Sequence, residues 1–214
     1  MSGKYESTNR SGDCVRCNTV TSALLVLFAY LLGSVPFAQI AGRTLRGVDI
    51  RTLGDGNAGA ANVYRHIGHN AGIAVMLADA GKGFLPVLLA LNLDSQAVSL
   101  LCGAAAVAGH NWPVFSGFKG GRGQATATGV LIALLPRTMG ILFLAAFVPF
   151  LLTRNTMVAS AILFAPLWLV AWLTGAPSLL VAYSIALPCL VGATHFLSTR
   201  GLSEEAKREA VYMR

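Results

Sequence analysis

Residues 71–91 read AGIAVMLADAGKGFLPVLLAL, and the fold is decided by how this run is read. A helix of about 20 predominantly apolar residues is what it takes to cross the hydrocarbon core of a bilayer. The run meets that length, and Asp79 and Lys82 are its only charged residues. Outward from it, apolar runs recur at 20–41, 95–110, 125–135, 138–152, 157–173 and 178–197. The expected fold is therefore an all-α integral membrane protein with about seven transmembrane helices. The runs 125–135 and 138–152 fall under the roughly 17-residue lower limit for a straight crossing. They are expected to form a tight pair or a re-entrant hairpin around Pro136 and Arg137.

Composition points the same way. Of the 214 residues, 55% are apolar and 12% charged, with a mean hydropathy of +0.63, whereas a soluble domain carries about 25% charged residues. A water-soluble globule is excluded. Lys and Arg number 16 against 9 Asp and Glu, for a net charge of +7. These basic residues sit in short segments between apolar runs, not in a basic domain with interleaved aromatics. That pattern suits the anionic face of a lipid bilayer or a phosphorylated substrate, and it argues against nucleic acid. Cys14 and Cys17 form a CxxC with no second ligand pair, and Cys102 and Cys189 lie inside apolar runs, so no metal site is expected.

Residues 1–19 read as a polar N-terminal tail, 20–198 as one polytopic membrane domain and 199–214 as a C-terminal tail. The first apolar run is taken as a spanning helix and not as a cleaved leader. If the loop at 43–70 faces the cytoplasm, the inner side carries eleven basic residues: Arg43, Arg46, Arg51, Arg65, Lys119, Arg122, Arg154, Arg200, Lys207, Arg208 and Arg214. The outer side then has four, Lys4, Arg10, Arg16 and Arg137. The positive-inside rule accordingly places the C-terminus in the cytoplasm and the N-terminal tail outside.

Two glycine-rich polar loops share the inner face. One is GDGNAGAANVYR at 54–65 and the other GHNWPVFSGFKGGRG at 109–123. Glycines let successive backbone N–H groups converge on an oxyanion, and Arg65, Lys119 and Arg122 supply countercharge. The second loop runs straight into a helix at Gln124, whose unpaired N–H groups and positive dipole end point back at it. The GxxxxGK[ST] spacing of a Walker A loop is missing. Two such loops on one face point to phosphate binding rather than to turns alone.

Other polar residues have two readings each. Ser34 is either a hydroxyl bonded back to its own helix or a site group, and Arg43 either an interfacial anchor or a ligand. Asp79 and Lys82, three residues apart, share a helix face, so they pair with each other or Lys82 meets a substrate anion. His110 and His195 lie near helix C-termini, where the dipole favours them even without a role; as a base, either needs a hydroxyl within reach. There is no GxSxG elbow and no HExxH, so hydrolase and metalloenzyme readings find no support.

The strings GSVPFAQIAGR (33–43), GVDIRTLGDGNAGAANVYR (47–65), DAGKG (79–83) and GHNWPVFSGFKGGRGQATATGV (109–130) resemble the bacterial integral-membrane acyl-phosphate:glycerol-3-phosphate acyltransferases, the PlsY family. The resemblance covers roughly residues 33–136, in the family's order. It implies a seven-helix fold and transfer of a fatty acyl group from acyl phosphate to the 1-hydroxyl of glycerol 3-phosphate, giving lysophosphatidic acid and phosphate with no cofactor or metal. It also implies a location in the bacterial cell membrane.

Carried over by position, Ser34 and Arg43 fall on the first motif, and Gly54, Gly56, Asn57, Asn62 and Arg65 on the second. Lys119, Gly120, Gly121, Arg122 and Gly123 fall on the third, while Lys82 and His110 match their own motif positions. His195 falls on the last motif, as the implied base, with Ser198 three residues on. The sequence departs from the family pattern at Asp55, where the family's loop reads GSGN, at Ala61, where threonine is usual, and at Ser198, where asparagine is usual. A membrane binder or transporter of a phosphorylated small molecule, including an inactive relative, is the other reading. A transporter favours internally related halves, which this sequence does not show.

Overall fold

The computed structural model describes residues 11–153 and 155–204, with side chains from residue 19 onward. The first ten residues of the expected N-terminal tail lie outside the described residues, as do Arg154 and residues 205–214 of the expected C-terminal tail. The described chain is helical, with no strand. α1 (Ser11–Gly33) and α2 (Phe37–Arg46) are separated by a break at Ser34–Pro36. Pro36 has no N–H to continue the ladder and biases the preceding residue away from helix, so the chain turns here. α2 ends at Gly47, whose φ of 67° lets its N–H bond back to the Arg43 carbonyl.

α3 (Ala60–His66) is short and leads into α4 (His69–Leu93). α5 (Gln96–Asn111) is capped by the Ser95 hydroxyl, which accepts from the Val98 N–H. Then come α6 (Gln124–Leu134), α7 (Pro136–Thr153), α8 (Thr156–Phe164), α9 (Leu167–Leu173) and α10 (Ser178–Thr199). Among the described residues, six stretches are long and apolar enough to cross a membrane: Thr19–Arg46, His69–Leu93, Gln96–Ser116, Pro136–Thr153, Thr156–Leu173 and Ser178–Thr199.

Of the about seven expected membrane helices, two of them short, the described residues give six long enough to cross and one short helix, α6. The run at 138–152 is not short after all. α7 starts two residues earlier, at Pro136, a residue favoured at the first helical position because its missing N–H is unpaired there anyway. α6 does stay short. At 1.5 Å per residue it is about 16 Å long, against about 27 Å for α7.

Close backbone approaches hold the bundle together. A Cβ on Gly83 or Gly129 of one partner helix would collide with the backbone carbonyls of Thr126 and Ala80, so α4 and α6 meet at van der Waals distance of their main chains. Gly33 and Gly109 do the same for α1 and α5, against Ala106 and Tyr30. The core of Val87, Val107, Val130, Leu131, Met139 and Leu167 is buried, while Leu77, Leu144, Leu152 and Trp172 stay exposed, as side chains solvated by lipid tails are.

The two ends of the bundle are marked by polar pairs. At one end the Ser22 hydroxyl donates to Asp94 at 2.5 Å, and the hydroxyls of Thr138 and Thr174 pair at 3.0 Å. At the other end Gln124, the first residue of α6, bonds Ser160, which lies one turn inside α8. α6 therefore begins below the surrounding helix ends. The loop at 112–123 is drawn down into the bundle with it.

Candidate active site

The break after α1 creates the first half of the site. A narrow cleft there is lined by Gly33, Val35, Pro36 and Phe37, by Asp79 and Lys82 of α4, by His110 of α5, and by Gly120 and Gly121 of the second loop. Lys82 Nζ lies 2.8 Å from Asp79 Oδ1 and donates to the Val35 carbonyl at 3.0 Å, an acceptor that the Pro36 break leaves free of a helical partner. The ammonium also sits 5.6 Å from the centroid of the Phe37 ring. His110 Nδ1 is 3.5 Å from the same Asp79 oxygen. All three charged or ionisable groups are buried. Asp79 and Lys82 pair with each other, and the same pair lines the cleft.

Gly120 and Gly121 do not present free N–H groups to this cleft. Their N–H groups donate to the carbonyls of Asn111 and His110, at 3.2 and 3.1 Å. Glycine is needed for space instead. A Cβ on Gly121 would meet the His110 ring and stand 3.0 Å from the Ala58 carbonyl oxygen, at the point where the two loops join. The unsatisfied N–H groups lie one step further on. Gly123, at φ 81°, starts α6 with no side-chain cap, and Gly59 starts α3 in the same way.

The second half of the site lies where the loops touch α10. Asp55 is buried, with one oxygen 2.9 Å from Arg122 Nη1 and the other 3.8 Å from Arg65 Nη2. The Arg122 Nε donates to the Ser198 hydroxyl at 2.9 Å, and its carbonyl accepts from Thr194 at 3.2 Å. His195, half-buried one turn from Ser198, lies within the electrostatic reach of Arg122 and Asp55. Gly54 and Gly56 flank Asp55 at φ 54° and 68°, left-handed positions that only glycine adopts without strain.

The remaining sequence-derived residues fall into supporting places. Asn62 is fully buried, and its Nδ2 donates at 3.0 Å to the carbonyls of Ile50, Leu53 and Asn57, so it holds the first loop in shape from beneath. The Asn57 N–H donates to Asp55 at 3.3 Å. Ser34 is buried, and its hydroxyl donates to the Tyr30 carbonyl at 2.8 Å, the back-bonding geometry of a serine in a membrane helix; its neighbours Gly33 and Val35 line the cleft. Arg43 and Lys119 are exposed at the rim, with Arg43 3.7 Å from Asp49.

Asp49 also binds Arg51 at 2.6 Å, and this guanidinium holds its carboxyl at a pKa of about 2 while the Arg51 pKa is raised in return. Arg51 in turn reaches the Ser116 carbonyl at 3.4 Å, tying the first loop to the second. Sequence reasoning noticed Asp55 only as a departure and did not give it a partner. An acid set among the basic residues of two loops was the available signal.

Comparison with known proteins gives a consistent result. The family model described as glycerol-3-phosphate acyltransferase matches residues 23–203. Glycerol-3-phosphate acyltransferase 4 of Dehalococcoides mccartyi (strain ATCC BAA-2266 / KCTC 15142 / 195) is 47% identical over 178 residues, covering 83% of this chain and 96% of that protein. The glycerol-3-phosphate acyltransferase of Aquifex aeolicus (strain VF5) is 40% identical over 174 residues, covering 80% and 90%. Among solved structures, the glycerol 3-phosphate form of PlsY (YgiH), an integral membrane glycerol 3-phosphate acyltransferase, superposes with a TM-score of 0.76 at 38% identity, covering 84% of this chain and 90% of that one. The lysophosphatidic acid form of the same protein gives 0.74. With most of its length matched in sequence and in fold, this chain belongs to the glycerol-3-phosphate acyltransferase family.

Proposed function

We propose that this protein transfers a fatty acyl group from acyl phosphate to the 1-hydroxyl of glycerol 3-phosphate, at the cytoplasmic face of the bacterial cell membrane. The observation that carries this reading is two buried places that hold basic side chains, Lys82 beside Asp79 in the cleft and Arg65 with Arg122 around Asp55 where the loops meet α10. Two phosphorylated substrates need two such places. Arg43 and Lys119, at the rim, are suited to drawing them in.

The chemistry asks for little. Acyl phosphate is already activated, so no cofactor is called for. The 1-hydroxyl oxygen attacks the acyl carbonyl, a new C–O ester bond forms, and the bond between the carbonyl carbon and the phosphate oxygen breaks. The hydroxyl proton passes to His195 or to the phosphate. Positioning and charge stabilisation supply the rest, with Arg122 facing the departing phosphate and the uncapped start of α6 behind it. Gly54, Gly56, Asn57 and Asn62 shape the first loop, Gly120, Gly121 and Gly123 the second, and Ser34 fixes the end of α1. Ser198 steers Arg122, and His110 braces Gly121.

Incubation of purified protein with acyl phosphate and glycerol 3-phosphate should release lysophosphatidic acid and one phosphate per turnover. Binding of either substrate without turnover would make the protein a binder instead. For orientation, an impermeant thiol reagent added to intact cells should miss a cysteine introduced at Ser203; labelling there would place the site on the outer face.

A further inference from the structure

The place where the two loops meet is not an open anion site. The Asp55 side chain is 1% exposed, and it meets cations from two directions: Arg122 at 2.9 Å and Arg65 at 3.8 Å. The Asn57 N–H closes on Oδ1 from a third, at 3.3 Å. A carboxylate and a phosphate offer a guanidinium the same thing, paired anionic oxygens that match its fork of N–H donors. Two guanidinium groups and a backbone N–H converging on one anion make a phosphate-binding geometry, and here the protein's own side chain fills it.

Resting on the reading of Arg65 and Arg122 as phosphate ligands given above, we propose that Asp55 is a resident counter-anion that competes with substrate phosphate for these two arginines and sets how tightly this half of the site holds phosphorylated ligands. Phosphate cannot simply join the carboxylate, because like charges brought together in a water-poor site repel strongly. One anion must leave as the other enters. The surrounding backbone permits that exchange. Gly54, on one side of Asp55, packs against His66 and Asn62, but the space beside Gly56 on the other is open: a Cβ added there would have the Arg51 carbonyl oxygen as its nearest neighbour, at 3.5 Å. Arg122 meanwhile is held from its far side by Ser198, so it keeps its place when the carboxylate swings away. With no substrate bound, Asp55 keeps two guanidinium groups, 8% and 10% exposed, from repelling each other directly.

The test compares the wild-type protein with Asp55→Asn, Asp55→Ser and Asp55→Glu in detergent, using inorganic phosphate as the probe. Calorimetry and thermal unfolding give the phosphate affinity and the rise in melting temperature that phosphate brings. Steady-state acyl transfer gives kcat and KM for glycerol 3-phosphate. Both neutral variants should bind phosphate about tenfold more tightly or better, since the competing like charge is gone. Their melting temperature should fall without phosphate and recover with it, more than the wild-type value rises. KM for glycerol 3-phosphate should drop, while Asp55→Glu keeps weak binding. A neutral variant that purifies only in phosphate buffer also supports the exchange. Phosphate affinity unchanged or weakened in both neutral variants overturns it, as does a loss of folding that phosphate does not repair, since a merely structural ion pair behaves so. Should the wild-type protein fail to transfer acyl groups while the neutral variants still gain phosphate affinity, the acyltransferase reading falls and the counter-anion stands.

Discussion

Asp79 and Asp55 each hold two cationic or ionisable partners, yet they sit in opposite surroundings. Asp79 faces Lys82 and His110 between spanning helices, three residues from its main partner on a rigid turn. Asp55 faces Arg65 and Arg122 from a loop flanked by two left-handed glycines. The first group cannot release its partner, because a helix interior at membrane depth gives neither charge anywhere else to go. The second can, because open space lies beside Gly56 and Arg122 is also held by Ser198. One cluster is therefore built to stay and the other to exchange.

The largest effect should come from breaking the fixed cluster. Asp79→Ala leaves a buried ammonium without its carboxylate, and loss of one partner of such a pair costs about 3–5 kcal/mol. Thermal unfolding in detergent should show a collapse in stability for Asp79→Ala, with Asp79→Leu combined with Lys82→Met much closer to wild type. If the single variant unfolds no earlier than the double, the cluster is solvated and the contrast with Asp55 disappears.

Next come three changes read in turnover. His195→Ala should lower kcat by about 10²-fold if the imidazole takes the hydroxyl proton, while stability hardly moves. Ser198→Asn, which can still meet the Arg122 Nε, should preserve or raise activity. An unchanged kcat in His195→Ala would leave the proton to the substrate's own phosphate. Gly121→Leu should also remove about 10²-fold in turnover, because its side chain displaces the His110 ring and parts the two loops. Near wild-type turnover would reduce this loop to a turn.

Smaller still is the rim. Lys119→Ala should raise KM for the phosphorylated substrates a few-fold with kcat kept, as loss of uniform binding does. The smallest effect belongs to Asp49, in a half-buried ion pair at the protein surface worth about 1 kcal/mol. Its carboxyl has a pKa near 2 in the folded protein against an ordinary 3.8, so the stabilisation is complete above about pH 4 and disappears as pH falls through 2. Asp49→Asn should lower the melting temperature slightly at pH 7 and by less at pH 2.

The spans were legible because long apolar runs leave few alternatives in a bilayer, and the break at Ser34–Pro36 follows from proline chemistry. The length of α7 was not legible, because Pro136, read as the centre of a tight pair or hairpin, is itself the first residue of that helix. In the site, charge type and loop position were readable, but contacts between distant residues were not. Nothing in the order of residues says that Gly120 and Gly121 spend their N–H groups on Asn111 and His110, or that Asn62 faces inward to three carbonyls. Asp55 shows the limit most plainly, since its two partners lie 10 and 67 positions along the chain.

The short α6 carries a consequence for selectivity. Because it starts below the rim, a donor embedded in one leaflet can bring its reactive head to the loops while its tail remains among neighbouring lipids. Donors with short and long tails should then turn over at comparable rates in the same bilayer, and a steep optimum at one length would mean that a closed tunnel measures them. Which fatty acids reach the membrane's phospholipids is in that case settled upstream, by the pool of activated chains on offer.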